Sequence, residues 1–148
     1  MDEETVHATA VLVGNRAALI RGPAGSGKTR LAFALIDAAR AGALPFARLV
    51  ADDRVRLRKT HGRLIAGVPD ALRGLAELRG LGIRTLPYEA RAVVGLVVDL
   101  AAADGGRMPA EAGREIVILG VRLPRLAVAA GQEPLPMVLG RASTLAGA

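Results

Sequence analysis

The chain has 148 residues, 51% of them apolar, no cysteine, and a formal net charge of +6 from 20 basic and 14 acidic residues. That length suits one compact domain over 1–148, with a core of its own. The absence of cysteine excludes disulfides and thiolate metal sites; one Tyr, two Phe and no Trp leave no stacking platform for single-stranded nucleic acid.

No run of five or six like charges forms a basic tail, so the positive charge is assigned to phosphate handling and to docking of an acidic or anionic partner, not to nucleic acid. The acidic start Met1-Asp2-Glu3-Glu4 lacks the apolar core of a signal peptide, and no apolar run reaches membrane-spanning length. A cytoplasmic protein that does not enter a membrane is expected.

In chain order, Thr5 to Val13 reads as one strand, and Gly14-Asn15 is a tight hairpin signal leading into the apolar run Ala17–Ile20. An antiparallel neighbour is therefore expected beside the second strand. Gly22-Pro23-Ala24-Gly25-Ser26-Gly27-Lys28-Thr29 then matches G-x-x-x-x-G-K-[ST], the phosphate-binding P-loop. Leu31, Leu35 and Ala38/Ala39 at helical spacing predict a helix to Ala39, with Gly42 at its end. Arg48–Ala51 is a short strand ending at Asp52-Asp53. Val55 and Leu57 alternate with Arg54, Arg56 and Arg58 in a strand with one wet face, and Arg63–Ala66 returns after the turn at Thr60–Gly62. Pro69 to Gly82, broken by Pro and Gly, is expected to be mostly loop with a helical turn around Asp70–Leu75. Ala92–Val98 is the most apolar run and the expected central strand. Residues 101–111 read as a surface loop, Glu115–Leu119 as a strand continuing toward Val128, and Pro136–Leu145 as a terminal helix.

The chemistry concentrates in three places. In the P-loop, the glycines Gly22, Gly25 and Gly27 free the backbone to curl its N–H groups toward phosphate oxygens. Lys28 supplies a mobile charge for the β- and γ-phosphates, Thr29 a hydroxyl for Mg²⁺, and the following helix its positive dipole end. A nucleoside triphosphate or diphosphate is the expected ligand. Asp52-Asp53, one crossover later, is placed to serve the metal or the attacking nucleophile. Adjacent residues on an extended strand point opposite ways, so only one of the two faces the γ-phosphate unless the chain turns there. Glu77-Leu78-Arg79-Gly80-Leu81-Gly82-Ile83 brings a carboxylate, a guanidinium and two glycines into one segment, which by itself also fits an exposed ion pair. His7 falls on the strand expected to pair with the P-loop strand.

Taken together and in this order, His7, Gly22–Thr29, Leu49-Val50-Ala51-Asp52-Asp53-Arg54-Val55 and Glu77–Ile83 resemble the catalytic domain of HPr kinase/phosphorylase, over about His7 to Leu100. The resemblance is fainter at Leu119–Pro124. It implies an α/β P-loop domain with a mixed sheet and flanking helices, like that of phosphoenolpyruvate carboxykinase. It further implies an ATP- and Mg²⁺-dependent serine kinase acting on an HPr-like phosphocarrier protein and assembling as a homo-oligomer. Its site residues would be Asp52 as base for the serine proton, Lys28 on the phosphates, and Thr29, Asp53 and Glu77 at the metal, with His7 beside them. In reverse, Asp52 would act as acid while inorganic phosphate attacks phosphoserine and yields pyrophosphate.

This chain also departs from the family pattern. Longer members carry an N-terminal domain, Pro23-Ala24 replaces an acidic or serine-containing loop start, and the segment between Gly82 and Val93 is short. The arginines expected near Leu126–Gly131 are missing. These departures bear on phosphorolysis and hexameric assembly more than on the kinase step. A small-molecule kinase and a non-catalytic nucleotide-responsive binding protein are the other functions compatible with the P-loop.

Overall fold

A computed structural model describes residues 2–106 and 111–143. Its organising strand is β9 (Arg91–Asp99), whose run of Ala, Val and Leu is apolar on both faces because neighbours cover both. The start of β9 pairs antiparallel with β6 (Arg63–Gly67); further along it pairs in parallel with β3 (Arg16–Arg21) and with β11 (Val121–Ala127). The sheet runs β1 (Glu3–His7), β5 (Arg54–Thr60), β6, β9, β3, β2 (Thr9–Val13), β4 (Ala47–Ala51), and β10 (Glu115–Ile118) adds to β11. It is an α/β fold with a mixed sheet and few helices.

The expected hairpin at Gly14-Asn15 is present: β2 and β3 pair antiparallel, and Gly14 takes the left-handed φ of +65° that the turn requires. The single strand expected over Thr5–Val13 is instead two, because the chain bends at Ala8. β1 pairs with β5 while β2 pairs with β3, so His7 is on the strand beside β5 and not on the one beside the P-loop strand. β4 and β5 are likewise separated by Asp52-Asp53. Both chain passages leave one half of the sheet for the other at the same corner, where the Ala8 amide donates to the Asp53 carbonyl at 3.3 Å.

The two halves enclose a core of Leu19, Val50, Val55, Leu57, Leu64 and Val97, among others. The opposite face of the second half is covered by α1 (Lys28–Arg40) and α2 (Pro134–Ser143). Leu31, Ala32, Leu35 and Ile36 form the buried stripe of α1, and the helix closes on Gly42 (φ +87°), whose amide reaches the Ala39 carbonyl at 3.1 Å.

Two further expectations are revised. Within Pro69–Gly82, the turn at Asp70–Leu72 is helical, but Leu75–Leu78 forms β7, paired antiparallel with β8 (Gly82–Thr85). The glycines that read as strand breakers shape the ends of this hairpin, with Gly80 and Gly82 at φ +84° and +83°. The strand expected to run from Glu115 toward Val128 folds into the β10–β11 hairpin, since Leu119 and Gly120 both take positive φ. The terminal helix starts at Pro134, and residues 144–148 lie outside the described residues, as do 107–110 of the loop at 101–111. Among the described residues no helix is long and apolar enough to cross a membrane.

Candidate active site

Residues 22–27 join the end of β3 to the start of α1, the strand–loop–helix order that the motif demands. Two glycines are required by geometry. Gly27 caps α1 with φ +100°, and a Cβ on Gly22 would meet the Leu100 Cβ at 3.1 Å and its carbonyl at 3.2 Å. The loop is cinched by the Ser26 amide on the Pro23 carbonyl (3.0 Å). Lys28 folds over the loop mouth, its Nζ donating to the carbonyls of Gly22 (2.8 Å) and Pro23 (3.2 Å). The Ser26 hydroxyl is buried with no hydrogen-bond partner among the described residues, an orphan polar atom inside the loop. An open cleft of roughly 310 Å³ lies alongside, between Pro23–Ser26 and the Val128–Gln132 segment.

The aspartate pair diverges. Asp53 takes a left-handed φ of +69°, so the chain does turn there, yet the two carboxylates meet different partners. Asp52 is 8% exposed and aimed at the loop. Its Oδ1 accepts hydrogen bonds from the Thr29 hydroxyl (2.6 Å) and the Thr9 hydroxyl (3.0 Å), and its Oδ2 accepts from the Glu77 amide (3.2 Å). Asp53 instead faces His7, with Oδ1 3.7 Å from Nδ1 and both side chains about three-quarters exposed (76% and 73%). Glu77 belongs to this constellation through its backbone, while its side chain is exposed. Arg79 makes no ion pair with Glu77; its guanidinium stands over the loop, 3.7 Å from where a Cβ on Gly25 would be.

A second charged cluster, unforeseen from the sequence, braces the base of the loop. Arg21, the residue before Gly22, donates from Nε and Nη2 to both Asp99 oxygens at 2.8 Å. Arg125 donates from Nε to Asp99 (2.6 Å) and from Nη1 and Nη2 to Asp104 (2.7 and 3.0 Å). Burial pushes the Asp99 carboxyl up, but the hydrogen bonds and charges of Arg21 and Arg125 outweigh it and hold the group below the usual aspartate range. Asp104 is held down chiefly by its hydrogen bond from Arg125, and Arg125 is pushed up by Asp104, against desolvation and with Asp99's help. A charged residue ending the most apolar strand was the available signal for this cluster.

The family model for the HPr serine kinase C-terminal domain matches residues 1–128, which include every residue of the constellation. The chain belongs to that family. It is 34% identical over 134 residues to an HPr kinase/phosphorylase of Geobacillus thermodenitrificans, covering 83% of this chain and 41% of that protein. It is 38% identical over 85 residues to the HPr kinase/phosphorylase of Clostridium tetani, covering 57% and 26%. The domain therefore spans about two-fifths or less of these relatives. Among solved structures, the Hpr(Ser) kinase/phosphatase of Coxiella burnetii superposes with a TM-score of 0.74 at 26% identity, covering 94% of this chain and 93% of that one.

The site suits the ligands this family reading requires. The glycine cradle and the orphan Ser26 hydroxyl fit phosphate oxygens. The Thr29 hydroxyl is a hard oxygen donor of the kind that Mg²⁺ prefers. Among the described residues no three His, Cys, Asp or Glu side chains form a metal cage.

Proposed function

We propose that this domain transfers the γ-phosphoryl group of ATP to a serine hydroxyl of an HPr-like phosphocarrier protein, and that it works as a P-loop kinase of the phosphoenolpyruvate-carboxykinase-like type. The observation that carries the reading is the meeting of Thr29, Asp52 and the Glu77 amide within hydrogen-bond distance, since it joins three separate family segments into one site.

In this mechanism the loop amides and Lys28 hold the triphosphate, and the cleft beside Val128–Gln132 takes the nucleoside. Thr29, with Asp53 and Glu77, would hold Mg²⁺, which would supply neutralisation of the phosphate charge. Asp52, oriented by two hydroxyls and an amide, accepts the serine proton as the serine oxygen forms its bond to the γ-phosphorus. The bond from that phosphorus to the bridging oxygen breaks, and its electron pair leaves with ADP. In the reverse direction, phosphate oxygen attacks phosphoserine, the phosphorus–serine bond breaks, and Asp52 returns the proton. His7 and Asp53 flank the path of the incoming serine. A cytoplasmic location and a homo-oligomeric assembly complete the proposal.

Incubating the protein with candidate HPr proteins and γ-labelled ATP, followed by location of the phosphate, tests it. Labelled phosphoserine is expected. Absence of transfer to HPr, with ATP bound, overturns the substrate assignment.

A further inference from the structure

The outer face of the first half-sheet is a field of arginine. On β5, Val55 and Leu57 are buried, while Arg54, Arg56 and Arg58 alternate outward and are exposed. Across the antiparallel register, Arg58 is opposite Glu3, Arg56 opposite Thr5, and Arg54 opposite His7, which places these six on the same face. On the other side Arg56 pairs with Gly67, and Gly67 with Arg91 of β9. A Cβ on Gly67 would be 3.4 Å from the Arg91 Cγ, so the arginine stem lies flat over bare backbone. Arg63 on β6 is exposed as well.

The face is nearly unneutralised. Arg56 meets Glu3 at 3.9 Å; Arg54, Arg58, Arg63 and Arg91 have no ion-pair partner among the described residues. Ordinary solvated sheet faces mix charge signs, because like charges on neighbouring strands repel. Arginine outnumbers the Glu3 carboxylate on this face, and a strongly positive field built at that cost has a use in recognition. Its position says which recognition: Arg54 follows Asp53 directly and faces His7 across the strands, so the field begins at the corner that holds Asp52.

We propose that this arginine face docks an acidic surface of the phosphate-accepting protein, steering its serine to the Asp52 corner. The inference rests on the kinase reading above and adds a docking surface to it. A nucleic acid fits less well: Tyr88 and the two Phe, Phe33 and Phe46, are on other elements, so no base-stacking residue interleaves the arginines.

The experiment compares wild type with the Arg56→Glu/Arg58→Glu double variant, using an HPr protein shown to be a wild-type substrate. The KM for the protein is expected to rise on the order of tenfold or more at low salt, with kcat and the KM for ATP unchanged. Wild-type KM should climb with added salt, and that of the variant should respond much less. Arg91→Glu should shift KM in the same direction by a smaller factor. Should the double variant fail circular dichroism, Arg56→Gln/Arg58→Gln replaces it, with the same expectation at smaller size. A variant whose KM and salt response equal those of wild type overturns the docking face while leaving the kinase reading intact. So does an unchanged KM with lost binding of a labelled RNA oligomer, which reassigns the face to nucleic acid. If wild type itself phosphorylates no HPr protein, the kinase reading falls and this inference falls with it.

Discussion

Asp99 ends β9 and Asp52 directly follows β4, and their surroundings are opposite in kind. Asp99 is neutralised by two guanidiniums, with side-chain exposures of 15% for both Asp99 and Arg125. Asp52 is buried, against the half-buried Asp99, and is held by neutral donors, two hydroxyls and one amide. Donors without charge orient a carboxylate and leave its negative charge unspent, available to a proton or a cation. Paired arginines consume that charge in holding strands together. In the proposed function, Asp52 carries the chemistry and Asp99 supports the loop beside it.

The largest test of this contrast is Asp52→Asn. We expect kcat on an HPr substrate to fall about 10²–10⁴-fold, the usual worth of a positioned base, with ATP affinity kept because loop amides and Lys28 hold the triphosphate. Asp53→Asn should lower the rate far less and chiefly raise the Mg²⁺ requirement. Kinetics on both variants, with nucleotide affinity measured separately, checks this; a rate lost only in Asp53→Asn would reverse their roles. Next is Lys28→Ala, for which turnover should drop roughly 10²–10³-fold through lost transition-state charge stabilisation, with an unaltered circular dichroism spectrum.

Asp99→Asn should invert that pattern. Leaving Arg21 and Arg125 facing a neutral amide is expected to cost about 3 kcal/mol of stability, read by urea denaturation, while kcat of the folded fraction stays near wild type. The same residue predicts an acid response. Because its folded pKa lies below the ordinary 3.8, its contribution is complete above that value and is lost as pH falls through the folded pKa. Wild type should therefore show an acid transition below about pH 4 that is much weaker in Asp99→Asn, measured by tryptophan-independent far-UV circular dichroism. The smallest effect is assigned to Glu77→Gln, whose exposed side chain should shift the Mg²⁺ titration only a few-fold, since an amide is a poorer ligand for a hard cation. An unchanged titration would confine Glu77's role to its backbone amide.

How much of the site was legible follows from how each part is encoded. The P-loop is a contiguous signal, and so is the hairpin before it. The β7–β8 hairpin was hidden because its glycines look like strand breakers when read alone, yet Gly80 and Gly82 supply the positive φ that turns one strand back on the other. The bend at Ala8 was hidden because Thr5–Val13 holds no Gly, Pro, Asn or Asp to mark a break; only partner strands on different sides divide it.

By itself, then, the sequence determined the strand–loop–helix unit, the hairpin feeding it and the apolar central strand, since each rests on local spacing and backbone preference. Tertiary structure alone decided which aspartate meets the P-loop. The left-handed turn at Asp53 is stabilised by β4 and β5 belonging to different halves of the sheet, a condition no dipeptide encodes. It alone also assembled the Arg21–Asp99–Arg125 brace, whose members are 78 and 26 residues apart and meet only because β3, β9 and β11 end side by side. Ion pairs between strand ends depend on strand order, and strand order is set by the packing of the whole sheet.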